Sequence, residues 1–298
     1  MKELTLEVTQ RCNLNCLHCS SCASSSSSWE LDINLLGSLI DEIITLGYNR
    51  VNISGGEPFL YSGLWGLVSL LGSSGIEVWI YTSGVGEANS YSDLYLLRRL
   101  GLQGVVYNFP AFDKEKYNAL TGTFGNQSEL LSSISYAQRA HLGVELNVVP
   151  NKINLSDLDV IIDYARTQNI QRVNILALVL QGRALGNKDL LYLSKEEQDF
   201  LSSLLSQYTS DPLVRIGDSL RKDNICKCGV SKLVIRYDGY VFGCEAFKHH
   251  DTVFSPPLNI YTHSLSDILS ISDYLSQERN FCQRYAQGCP IQESQKEV

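Results

Sequence analysis

Short β-rich runs alternate with longer stretches carrying apolar residues at helical spacing from residue 4 to about 207. The pattern predicts strands over 4–9, 50–54, 76–82, 104–108, 143–149 and 172–180. Between and after them it predicts helices over 32–46, 63–71, 91–100, 127–141, 155–168 and 194–206. Six strand–helix units in regular alternation imply a parallel sheet with right-handed crossovers. Six units are too few for the usual closed eight-stranded barrel. The expected fold is therefore α/β, an open, partial (β/α)6 barrel with its site at the carboxyl ends of the strands.

The pattern changes after residue 210. The stretch 211–217 reads as a linker, and 233–237, the turn Asp238-Gly239 and 240–243 give a β-hairpin signal. The expectation is two units, a barrel over 1–210 and a small cysteine-rich unit over 211–298. A Ser-rich tract at 20–28 is low in complexity and reads as a flexible loop without core residues.

Composition narrows the partners. The 298 residues are 44% hydrophobic and 19% charged, enough for a large core. A net charge of -8 without any basic run argues against nucleic acid as a partner. The first eight residues are too short and charged for a signal peptide, and no run of 18 apolar residues occurs, so a cytoplasmic protein without membrane association is expected. In that compartment nine cysteines point to metal binding or catalysis rather than disulfides. They fall into two groups, 12–22 and 226–289, with none between.

The first group holds Cys12, Cys16 and Cys19 in C-x3-C-x2-C spacing, directly after the alternating stretch Leu4-Thr5-Leu6-Glu7-Val8. Three thiolates supply three corners of a cubane iron–sulfur cluster, leaving one iron open to a substrate or cofactor. Zinc is the alternative, with His18 or Cys22 completing a tetrahedral set. One strand–helix unit later comes Ser54-Gly55-Gly56-Glu57-Pro58, where paired glycines let the backbone approach a ligand.

The triplet, with His18 just before its last cysteine, and the GGEP turn together resemble the radical S-adenosylmethionine (radical SAM) superfamily. Thr82-Ser83-Gly84, the segment from Phe112 to Gly125 and Gln181-Gly182-Arg183-Ala184 extend the resemblance along the barrel. It implies a [4Fe–4S] cluster on Cys12, Cys16 and Cys19, with S-adenosylmethionine at the open iron. It further implies that Gly55, Gly56 and Glu57 bind the methionine amino group. Ser83, Asn147 and Arg183 would meet the ribose or carboxylate, and His18 the adenine. The implied chemistry is reductive cleavage of S-adenosylmethionine to a 5′-deoxyadenosyl radical, which takes hydrogen from a substrate C–H bond. An electron donor such as flavodoxin or ferredoxin is implied as a partner.

The second group, Cys226, Cys228, Cys244, Cys282 and Cys289, with Gly239 ahead of Cys244 and Gly288 ahead of Cys289, resembles the C-terminal extension called SPASM or its shorter form, twitch. That resemblance implies one auxiliary [4Fe–4S] cluster on Cys228, Cys244, Cys282 and Cys289. Cys226 either replaces one of these ligands or remains a free thiol, spare or donating hydrogen to a substrate radical. Zinc suits four loop sulfurs equally. Three functions follow from these readings. The first is modification of a ribosomally made peptide by cross-linking, epimerisation or oxidation. With Cys12 so near the N terminus, it calls for a separate leader-binding protein or leader-free recognition. The second is oxidation or rearrangement of a small metabolite such as an aminocyclitol, and the third a non-catalytic zinc protein.

Overall fold

The computed structural model describes residues 2–86, 89–221, 229–249 and 256–283. Nine strands form one sheet: β1 (Glu3–Thr9), β2 (Arg50–Gly55), β3 (Glu77–Thr82), β4 (Leu102–Asn108), β5 (Gly143–Val148), β6 (Arg172–Ile175), β7 (Val214–Ile216), β8 (Lys232–Ile235) and β9 (Val241–Phe242). Their order is β7-β6-β5-β4-β3-β2-β1-β8-β9. Every neighbouring pair is parallel except β8 with β9.

The crossovers carry α1 (Ile33–Thr45), α2 (Leu64–Ser73), α3 (Tyr91–Arg99), α4 (Lys114–Thr121), α5 (Gln127–Arg139), α6 (Leu158–Thr167), α7 (Arg183–Gly186), α8 (Lys188–Leu191) and α9 (Lys195–Ser206). Helix starts follow side-chain chemistry. Asp32, Ser90, Asp113 and Ser194 each accept from a backbone N–H of the first turn, and Ser194 with Glu197 completes a capping box.

The period of two along the strands decides where the core lies. Leu4, Leu6, Val8, Val51, Ile53, Val144 and Leu146 belong to the apolar layer between sheet and helices. The alternate positions Thr5, Glu7, Asn52, Ser54, Asn108, Asn147 and Asn174 line an inner cavity instead. Parallel strands buried on both faces usually read as continuous apolar runs. Here the inner face is polar because it encloses a binding space.

The partial barrel is as expected; several details differ. Only Arg172–Ile175 of the predicted 172–180 strand pairs, and Leu176 to Val179 run as loop along the cavity wall. The predicted 155–168 helix begins as a 3-10 turn, Leu155–Asp157, before α6. The expected linker at 211–217 contains β7, which pairs with β6. The expected hairpin forms as β8 and β9, yet β8 also pairs in parallel with β1, so the sheet runs on across the expected junction. The Ser-rich tract is anchored. Arg11 bridges Ser24, and Ser21 and Ala23 are buried. Beyond the hairpin lie α10 (Leu265–Ile271) and α11 (Asp273–Gln283). Among the described residues no helix is long and apolar enough to cross a membrane.

Candidate active site

A cavity of about 500 Å³ fills the inside of the barrel. Cys12, Cys16 and Cys19 line it together with His18, Gly55, Gly56, Ser83, Asn147 and Arg183. Nearly all the residues singled out from the first motifs therefore meet in one space. Cys22 is exposed, has a left-handed backbone (φ 49°) and lies outside the wall.

The cysteine loop is held mainly through its backbone. The Cys12 N–H donates to the Ser24 carbonyl (3.1 Å), that of Asn15 to Thr121 (3.1 Å) and that of Leu17 to Leu120 (2.8 Å). On the other side the Arg183 N–H donates to the Cys19 carbonyl (2.9 Å). The Arg183 guanidinium donates to the carbonyls of Cys16 (2.9 Å) and Ala23 (2.7 Å). Gly182 permits this approach. It has φ +56°, and a Cβ there would lie 2.6 Å from the Ser20 carbonyl oxygen. Arg183, expected at the ribose or carboxylate, thus clamps the loop that carries the cysteines while also facing the cavity.

The GGEP turn works in a similar way. A Cβ on Gly55 would lie 2.3 Å from the Thr9 carbonyl oxygen, and one on Gly56 would lie 2.2 Å from that of Arg11. The close approach made by the paired glycines is therefore to the chain entering Cys12. The Gly56 and Glu57 N–H groups donate to Thr9 (2.7 Å) and Arg11 (2.8 Å) across that contact. Glu57, expected at the methionine amino group, is buried and absent from the cavity wall. Its carboxylate accepts from the Thr82 hydroxyl (2.7 Å), the Ser83 hydroxyl (2.7 Å) and the Ser83 N–H (2.9 Å). Burial pushes this carboxyl above its ordinary value, and those donors oppose the shift.

The inner positions of adjacent strands form a polar row. Asn108, Asn147, Asn174 and Arg215 are register partners across β4, β5, β6 and β7. The Asn174 amide donates to Asn147 (3.0 Å) and Glu145 (2.9 Å). Asn108 hydrogen-bonds the His18 ring, whose pKa burial lowers to about 4, so the imidazole is neutral at pH 7. Among the described residues, charge on the wall is balanced. Glu3, Glu7, Asp218 and Glu245 stand against Arg183, Arg215, Lys232 and Lys248. Sequence reading missed Asn108, Asn174, Glu7 and Lys248. Strand alternation marks the first three, whereas nothing local marks Lys248.

Of the second cysteine group, Cys244 and Cys282 lie within the described residues; Cys226, Cys228 and Cys289 lie outside them. Cys244 lines the same cavity, and it packs against the apolar cluster that contains Cys282, Phe242, Phe247 and Tyr274. Cys244 thus faces the cavity, and Cys282 is buried in the cluster behind it.

The donor set of the first group fits an iron–sulfur cluster. Three cysteines of one loop face one space, and burial pushes the Cys12 thiol up to about 12 and the Cys16 thiol up as well. Such sulfurs ionise only beside added positive charge, which bound metal supplies. Among the described residues no three His, Cys, Asp or Glu side chains converge as a single metal ion requires.

Comparison with known proteins agrees with this geometry. The model of the radical SAM superfamily matches residues 6–165. The PqqA peptide cyclase of Granulibacter bethesdensis is 27% identical over 68% of this chain and 54% of its own length. The mycofactocin maturase MftC of Mycobacterium tuberculosis is 27% identical over 83% of this chain and 65% of its own. The chain spans about half the length of several curated relatives it matches. Among solved structures, Streptococcus suis SuiB bound to its precursor peptide SuiA superposes with a TM-score of 0.76 at 16% identity, over 94% of this chain and 66% of that one. That likeness shows a shared fold. The family match spans more than half of the sequence and includes the three cysteines and the GGEP turn: the chain belongs to the radical SAM superfamily.

Proposed function

We propose that this protein cleaves S-adenosylmethionine reductively and uses the resulting radical to modify a ribosomally made peptide, by cross-linking, epimerisation or oxidation. The observation carrying the reading is that Cys12, Cys16, Cys19 and Cys244 all line one cavity inside the barrel. A relative named for peptide chemistry, PqqA peptide cyclase, supports the substrate class.

Cys12, Cys16 and Cys19 would hold the cluster of the reaction centre; Cys228, Cys244, Cys282 and Cys289 are the proposed ligands of one auxiliary [4Fe–4S] cluster in a SPASM- or twitch-like unit. When bound, the first cluster with S-adenosylmethionine supplies one-electron cleavage of a C–S bond and a carbon radical for hydrogen abstraction. The chain's own residues do the positioning. Arg183 and Gly182 fix the cysteine loop, while Gly55 and Gly56 seat the second loop against it. Asn147 and Ser83 present hydrogen-bonding groups to the cavity, and neutral His18 offers a flat ring beside Cys19. Flavodoxin or ferredoxin would serve as electron donor.

The test is anaerobic incubation of reconstituted enzyme with S-adenosylmethionine, reductant and short peptides encoded beside its gene. The expected result is deoxyadenosine formation with a mass change in one peptide. Conversion of an aminocyclitol with every peptide unchanged would overturn the peptide assignment and leave the radical chemistry standing.

A further inference from the structure

Glu7 sits on the inner face of β1, is 3% exposed and lines the cavity, yet the cysteine and glycine motifs make no use of it. Its Oε1 accepts from the Lys248 ammonium (2.5 Å) and the Ser21 hydroxyl (3.4 Å), and Lys248 also donates to the Ser21 oxygen (2.6 Å). Lys248 is itself 2% exposed and lies four residues beyond Cys244. Among the described residues the second carboxylate oxygen, Oε2, is buried without a partner. A buried carboxylate oxygen with no donor is costly, and a donor from a bound ligand or an ordered water relieves that cost.

Three features define the donor. Lys248 offsets the charge of Glu7, and among the described residues of the cavity wall four carboxylates stand against four cations. A full cation therefore gains little there over a neutral group. The terminal torsion of glutamate is broad, so rotation of the carboxylate about Cγ–Cδ carries Oε2 toward the cavity. The position also faces the segment Cys244 to Lys248, on the side of the second cysteine group; Thr5 on β1 holds the same segment through Glu245 (3.2 Å).

We propose that Glu7 is a substrate-binding residue whose free carboxylate oxygen accepts a hydrogen bond from a neutral amide N–H of the substrate, with Lys248 and Ser21 as its positioning residues. The inference deepens the peptide reading and rests on it for the substrate class. A charge-assisted hydrogen bond of this kind is worth about tenfold in affinity.

The test uses acetamide and N,N-dimethylacetamide, which share a carbonyl and differ in the N–H, with binding to the reconstituted enzyme followed by ligand-observed NMR. Wild type is expected to prefer acetamide by about tenfold. In Glu7→Gln the amide oxygen stays on Lys248 and an NH2 group replaces Oε2, turning an acceptor into a donor. The preference should then vanish or reverse. Equal binding of the two amides by wild type, or an unchanged preference in Glu7→Gln, overturns the proposal. Lys248→Gln supplies an independent variant. It keeps a donor for Oε1 but removes the offsetting charge, so methylammonium should overtake acetamide; retention of the wild-type order would also overturn the proposal. None of these measurements requires cleavage of S-adenosylmethionine. A failed peptide assay with the preference intact would count against the peptide substrate and not against the Glu7 site.

Discussion

At the scale of single residues, the glycines separate packing from flexibility. Gly56 has the Arg11 carbonyl where a Cβ would stand, at 2.2 Å, and both partners are backbone that cannot turn aside. Gly56→Ala is expected to cost about 2–3 kcal/mol of stability and to lower iron uptake, because the chain entering Cys12 must move. Gly37, exposed on α1 with nothing within 4 Å of the place a methyl would take, provides the contrast. Gly37→Ala should stabilise by about 0.5–1 kcal/mol with iron uptake unchanged. Thermal unfolding and iron analysis of both variants check the pair. Glu57 gives a pH test. Burial raises its folded pKa above the ordinary 4.5, so the stability it lends is complete below 4.5 and is lost as pH rises through the raised value. Relative to Glu57→Gln, wild type should lose stability from pH 4.5 toward neutrality, as read by urea unfolding across that range. A wild-type advantage that grows with pH would contradict the assignment.

At the scale of elements, the sequence was most informative where period and burial agree. Six strands and six helices of the barrel were legible because apolar residues of one face pack on the helical layer, whereas α4, α7 and α8 were not. The alternation in Leu4-Thr5-Leu6-Glu7-Val8 was legible too, and it already separates core from cavity. β7 was not legible: three residues form an edge strand whose identity depends on pairing with β6 rather than on local propensity. The parallel pairing of β8 with β1 joins residues more than two hundred apart, which no local pattern encodes. A chain ending at residue 210 would lack both strands and expose the edges of β1 and β6. Such a truncation is expected to aggregate or unfold well below the full chain. A soluble fragment with full cooperative unfolding would show that the barrel stands without β7 and β8. The loop after β6 yields a further prediction. Arg183→Lys keeps the charge but loses the two-carbonyl grip on Cys16 and Ala23, so iron should leave the reconstituted protein faster under a chelator.

At the scale of the molecule, the cysteine triplet, the GGEP turn and the Gln181–Ala184 segment were legible as a site, and all three meet around one cavity. Their division of labour was not. Gly55, Gly56 and Arg183 hold the cysteine loop through contacts between distant backbone segments, and Glu57 spends its carboxylate on Thr82 and Ser83. A motif read along the chain shows which residues occur together; which atoms face a ligand and which face the protein is decided by packing. The central claim is that Cys12, Cys16 and Cys19 support radical cleavage of S-adenosylmethionine. The most direct measurement is deoxyadenosine formed by anaerobically reconstituted protein with S-adenosylmethionine and dithionite, compared with a variant carrying Cys12→Ala, Cys16→Ala and Cys19→Ala. Deoxyadenosine from the wild type and none from the triple variant is the predicted result; equal formation by both, or zinc in place of iron with no product, would contradict it.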